Sequence, residues 1–169
     1  METNANLVKF RKIGGWLLFE LVFICIIGTL LEFNSLFGLS ESLKIISSFS
    51  SFGGVFAAII YGGFFISLIL RGTHLYGILK RNNKFALRSL QGIYVLTFVV
   101  GLSMAFVLSA FYKSMGIVES AFDAKFVGTL IGAALGFGIF TQYYKVSKRV
   151  RVYYLSDEEY NEELNGSPE

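Results

Sequence analysis

Four long stretches almost free of charge, Ile13–Phe33, Ile45–Leu70, Ser89–Tyr112 and Phe126–Tyr144, alternate with short clusters of Lys and Arg. Each is close to the roughly 20 apolar residues that a helix needs to cross a bilayer core about 30 Å thick. The pattern predicts an all-α membrane protein. It is a four-transmembrane-helix bundle over residues 1–155, followed by an acidic tail over residues 156–169.

The basic clusters set the orientation. One side collects Lys9, Arg11 and Lys12, then Arg71, Lys80, Arg81, Lys84 and Arg88, then Lys145, Lys148, Arg149 and Arg151. The other side has only Lys44, Lys113 and Lys125. Short loops rich in Lys and Arg stay in the cytoplasm. Both termini and the Arg71–Arg88 connection are therefore expected inside, with the Asn34–Lys44 and Lys113–Lys125 loops outside. The basic start followed by an apolar run superficially resembles a signal peptide. That run is too long for one, contains Glu20 and lacks a small-x-small cleavage site, so it reads as a retained first helix.

Composition agrees with this layout. Of 169 residues, 54% are hydrophobic and 16% charged, against about 25% charged in a soluble domain. The net charge of +3 sits beside the spans. It points to lipid headgroups and topology, and no nucleic-acid partner is expected. Cys25 and His74 are single, so neither an intrachain disulfide nor a metal site is expected, and no cofactor is implied. Cys25 reads as a packing residue and His74 as a loop residue near headgroups. Pro168, the one proline, lies in the tail, so no span carries a proline kink. In that tail Ser156 and Glu159 have the spacing of a capping box.

Glu20 stands out because an ionisable group within a span is a functional candidate by default. It must find a hydrogen-bond donor or carry a proton. Topology puts Arg71, Gln91, Tyr94, Gln142 and Tyr143 at a similar depth, and these are its expected partners. The cluster reads either as a structural hydrogen-bond staple or as a proton-sensitive site open to the cytoplasm. Glu32, nearer the outer end, reads as solvated. Tyr143, Tyr144, Tyr153 and Tyr154 suit an inner interfacial belt.

Small residues recur every fourth position in three spans: Gly54, Ala58 and Gly62; Gly101, Ala105 and Ser109; Gly128, Gly132 and Gly136. Such stripes let helix backbones approach closely in lipid. They serve either packing within the bundle or contact with another subunit. Catalytic groups are not apparent. Glu20 and Glu32 are about 18 Å apart along one helix, too far for an acid–base pair. Ser47, Ser48, Ser50 and Ser51 have no histidine on their side of the membrane. An enzyme is not expected.

Two short pieces carry a resemblance. Gly14-Gly15-Trp16-Leu17 opens the first span, and Tyr143-Tyr144 followed by Ser147-Lys148-Arg149-Val150 closes the last. With the basic central connection, they resemble an uncharacterised bacterial family of small four-helix membrane proteins, domain-of-unknown-function family 2569. The sequence departs from that family's Trp-x-Pro ahead of the aromatic pair, having Phe140 and Gln142 there, and it adds the acidic tail. The resemblance implies a bacterial cytoplasmic (inner) membrane and four helices, and nothing catalytic.

Three functions fit these observations. The first is a structural, accessory or regulatory subunit that binds a membrane-protein partner, or a second copy of itself, through the small-residue stripes. The second is a small oligomeric transporter or channel with Glu20 as a proton-sensitive residue. The third is an immunity protein against a membrane-active toxin.

Overall fold

The computed structural model describes Val8, Ile13 and residues 15–49, 52–117 and 124–165, and among these every element is helical. The chain forms α1 (Trp16–Glu20), a π-helical stretch (Leu21–Ile27) and α2 (Gly28–Phe49), which together make the first membrane helix. There follow α3 (Phe52–Leu79), α4 (Asn83–Ser114) and α5 (Ala124–Val146), then two short helices, α6 (Lys148–Tyr154) and α7 (Asp157–Asn165). Four apolar segments are long enough to cross a membrane: Leu17–Gly38, Gly53–Leu79, Asn83–Ser114 and Phe126–Val146. The fold is a four-span membrane bundle.

Two boundaries differ from the expected ones, each for a local reason. Residues 34–44, expected as a loop, continue the first helix. Leu36 and Leu43 lie seven residues apart on one face and pack with Phe56 and Ile60 of α3, so burial holds the helix beyond the apolar run. The second span runs on to Leu79, past Arg71, which therefore lies within the helix and not in the connection after it. Leu75, Ile78 and Leu79 extend the apolar run to the first exposed lysine, Lys80. The basic connection shortens to Lys80–Asn82, and Lys84 and Arg88 belong to α4.

That connection is a tight turn. Arg81 has φ 52°, and the Asn82 N–H closes on the Gly77 carbonyl at 2.8 Å. The Asn82 side chain caps α4 by accepting from the Phe85 N–H at 3.0 Å. Where α3 and α4 leave the turn, their backbones nearly touch. A Cβ on Gly77 would lie 2.7 Å from the Ala86 nitrogen. Any side chain there would force this hairpin apart.

The spans pack in chain order, first on second, second on third and third on fourth, with α3 and α4 the most intimate pair. The small-residue stripes divide between inside and outside. Ala105 of α4 is buried, and Gly101 faces Leu130 and Phe126 of α5. Gly54, Gly62, Gly128 and Gly132 meet nothing within 4 Å, whereas Gly136 lies under the ring of Tyr94.

At the basic end, α6 folds back under the bundle. Val150 and Tyr153 join Leu17, Ile78, Ala86, Leu90 and Tyr144 in one apolar cluster. The Tyr153 hydroxyl donates to the Ile78 carbonyl at 2.9 Å, satisfying an acceptor near the end of α3. Tyr144 and Tyr153 are thus core residues and not members of an interfacial belt. Burial pushes the Tyr153 phenol above its ordinary range, and Arg81 beside it pulls the other way. The capping box forms at the start of α7. Glu159 Oε2 accepts from the Ser156 N–H at 2.9 Å, and the Ser156 hydroxyl accepts from the Glu159 N–H at 3.2 Å. The Ser156 N–H and hydroxyl, both donating to Glu159 Oε2, hold the Glu159 carboxyl below its usual range.

Candidate functional site

Two acidic residues of the first helix reach two basic residues of α3. The register that allows this comes from the π stretch. In an unbroken α-helix the step from residue 20 to residue 32 is about 3.3 turns, which would set the two carboxyls about 120° apart. A π bulge accommodates an extra residue and so cancels about 100° of that difference. Both acids therefore turn toward the second span.

Nearer the basic end, Glu20 and His74 are wholly buried, each with 0% exposure. His74 Nδ1 lies 2.8 Å from the Ala86 carbonyl, which can only accept, so this nitrogen carries the hydrogen. That leaves His74 Nε2 facing Glu20 Oε1 at 3.0 Å. The contact is close but out of line for a hydrogen bond, and Nε2 has no other partner. A buried acceptor nitrogen thus faces a buried carboxyl oxygen with no imidazole hydrogen between them. The Tyr144 hydroxyl donates to the same Oε1 at 3.1 Å, and the Tyr154 hydroxyl lies 3.5 Å from that of Tyr144. Glu20 Oε2 is buried with no hydrogen-bond partner. Burial drives the Tyr154 phenol up, with the Tyr144 hydrogen bond partly offsetting it.

Farther along, Arg71 stretches along the first helix. Its Nη2 meets Glu32 Oε1 at 2.5 Å, its Nε donates to the Ser67 hydroxyl at 3.2 Å, and its Nη1 donates to the Ile24 carbonyl of the π stretch. The Ser67 hydroxyl in turn donates to Glu32 Oε1 at 2.9 Å. Gly28 makes room for this. A Cβ there would overlap the guanidinium, so the residue opening α2 has to lack one. Cys25 completes the group, its thiol donating to the Arg71 carbonyl at 3.8 Å.

The expected partners of Glu20 are distributed differently. Arg71 pairs with Glu32, so Glu32 is a salt-bridge partner and not a solvated end residue. Gln91 bonds Thr141 at 3.3 Å, and Tyr94 stacks on Phe140 with centroids 6.2 Å apart. Gln142 is exposed, and Tyr143 packs edge-on against Tyr144. His74, read from sequence as a loop residue, is the direct neighbour of Glu20. One signal pointed to it: it lies three residues after Arg71, on the same helix face, with Leu75 beside it and no charge until Lys80. Among the described residues, no cluster of three or more His, Cys, Asp or Glu forms a metal-binding group.

These observations define a small multi-pass membrane protein with paired ionisable residues inside its bundle. The chain belongs to the family described as Protein of unknown function (DUF2569), whose model matches residues 10–155. No curated protein and no solved structure matches it.

Proposed function

We propose that the protein is a small proton-dependent membrane transporter in which Glu20 and His74 together hold the coupling proton. The observation that carries this reading is the pair itself, an acid and an imidazole with 0% exposure and 3.0 Å between them. Ionisable residues inside spans mark proton relays and substrate pathways. Cys25, Arg71, Tyr94, Tyr144 and Tyr154 are the other titratable or charged groups around it, one each from the π stretch, α3, α4, α5 and α6. The chain works as an oligomer on this reading, because four spans line a pathway only sparsely. Catalysis is no part of it.

Infrared spectroscopy of the protein in lipid tests the proposal. A protonated-carboxyl band should rise and fall as the bulk pH is varied. It should vanish in Glu20→Gln and move in His74→Gln. A parent protein without any titrating carboxyl band, or a band unchanged in Glu20→Gln, removes the reading.

We further propose that the basic end faces the cytoplasm of a bacterial inner membrane, with both termini inside. Lys80, Arg81, Lys84, Lys145 and Lys148 support this, against Lys44 and Lys113 at the opposite end of the described spans. Lys9, Arg11 and Lys12 lie outside the described residues, as does the expected outer segment from 118 to 123. Reporter fusions at the two termini should report the same, inner side, and opposite sides would refute it.

A second reading, an accessory subunit docking through α5, draws on Gly128, which is exposed and meets nothing within 4 Å. Oxidation of Gly128→Cys in native membranes should then trap a covalent partner or a dimer. A product that stays monomeric in gels argues against this reading.

A further inference from the structure

Between the spans lies an open cleft of about 300 Å³ with walls from all four of them, among them Gly28, Arg71, Ile93 and Ala133. A second space of about 280 Å³ adjoins it beside Glu32 and Ser67, with Phe64, Val100 and Met104 as apolar walls. Thr97 and Thr129 line both. We propose that this double cleft binds an uncharged amphiphile with a carbonyl head group and a medium-length apolar tail.

Size, chemistry and charge point the same way. Ligand sites run from about 300 to 1,000 Å³ and combine apolar walls with a few placed polar groups. Arg71 supplies the polar group. A guanidinium has five N–H donors, and Ser67, the Ile24 carbonyl and Glu32 accept from one nitrogen each. Nη1 and Nη2 therefore each keep a second N–H for an acceptor in the cleft. The Thr97 hydroxyl is already given to the Ile93 carbonyl at 2.9 Å, whereas Arg71, which lines the cleft, keeps N–H groups to give. Glu32 at 2.5 Å cancels the Arg71 charge. A carboxylate or ammonium head would leave one charge unpaired at membrane depth, which is costly, whereas a neutral carbonyl leaves none. The site involves neither Glu20 nor His74, and it stands apart from the proton proposal.

The test uses the full chain in lipid nanodiscs and three radiolabelled probes with the same ten-carbon chain: decanamide, decanoate and decyltrimethylammonium. Decanamide should bind saturably at one site per chain, and the charged probes about tenfold more weakly or worse, as an unpaired buried charge dictates. The double variant Arg71→Met/Glu32→Leu removes the donor while keeping the cleft neutral. Thr97→Phe fills the cleft and leaves the salt bridge in place. Each should weaken decanamide binding about tenfold or more, the scale of a lost hydrogen bond to a charged donor. Three results would overturn the proposal: no binding above empty nanodiscs, equal binding of all three probes as expected of a groove for lipid chains, or undiminished binding in the double variant. Both variants keep Glu20 and His74, so the infrared band reports separately on the proton site.

Discussion

Arg71→Met should destabilise the bundle by about 3 kcal/mol, near the lower end of the 3–5 kcal/mol cost of breaking a buried ion pair. The lower end applies because the Glu32 side chain keeps 31% of its exposure. Methionine preserves the stem of the side chain but leaves Glu32 with only Ser67 as donor, and it abandons the Ile24 carbonyl. Adding Glu32→Leu should recover most of the loss, to within about 1–2 kcal/mol of the parent, since apolar replacement of a whole pair is often neutral. Unfolding in mixed micelles of dodecylmaltoside and dodecyl sulfate would measure both. Equal stability of the single and double variants would show that the two charges are not coupled.

The second large effect concerns His74. His74→Leu should cost about 3–5 kcal/mol by stranding Glu20 in a fully buried position with Tyr144 as its one hydrogen-bond partner. Glu20→Gln should cost only about 1 kcal/mol. With its amide nitrogen in the place of Oε1 it donates to His74 Nε2 and to the Tyr144 hydroxyl oxygen, and no charge is left buried. The same unfolding experiment ranks the two. If Glu20→Gln proves the more damaging, the ionised or protonated acid is itself the keystone, and the imidazole is a bystander.

The spans and their number were legible because apolar runs of the right length are governed by the bilayer and hardly by anything else. Their ends were less so. Arg71 looks like a terminus in sequence because an isolated arginine is expelled from hydrocarbon. It is retained in the helix by Glu32, whose availability depends on the rotation of another helix. That rotation comes from the π stretch over Leu21–Ile27, an ordinary run of Leu, Val, Phe and Ile with nothing in its composition to mark it. The prediction of Glu20 as the key polar residue, and of its depth, followed from charge in an apolar setting. Its partner His74 did not, because only the length of α3 decides whether residue 74 is inside or outside the bundle. Tyr144 in place of Tyr143 is a difference of about 100° around α5, beyond what depth alone resolves.

The placement of both acids on the first helix and both bases on α3 also matters while the chain is being made. Glu32 leaves the ribosome 39 residues ahead of Arg71, and Glu20 precedes His74 by still more. At about 5–20 residues per second, the leading helix waits roughly two to eight seconds for Arg71 and about three to eleven for His74. During that interval it must lodge beside the insertion machinery, or enter lipid with its carboxyls protonated. Capture by the arriving α3–α4 hairpin then completes its integration, so assembly of this protein is paced by translation as well as by hydrophobicity.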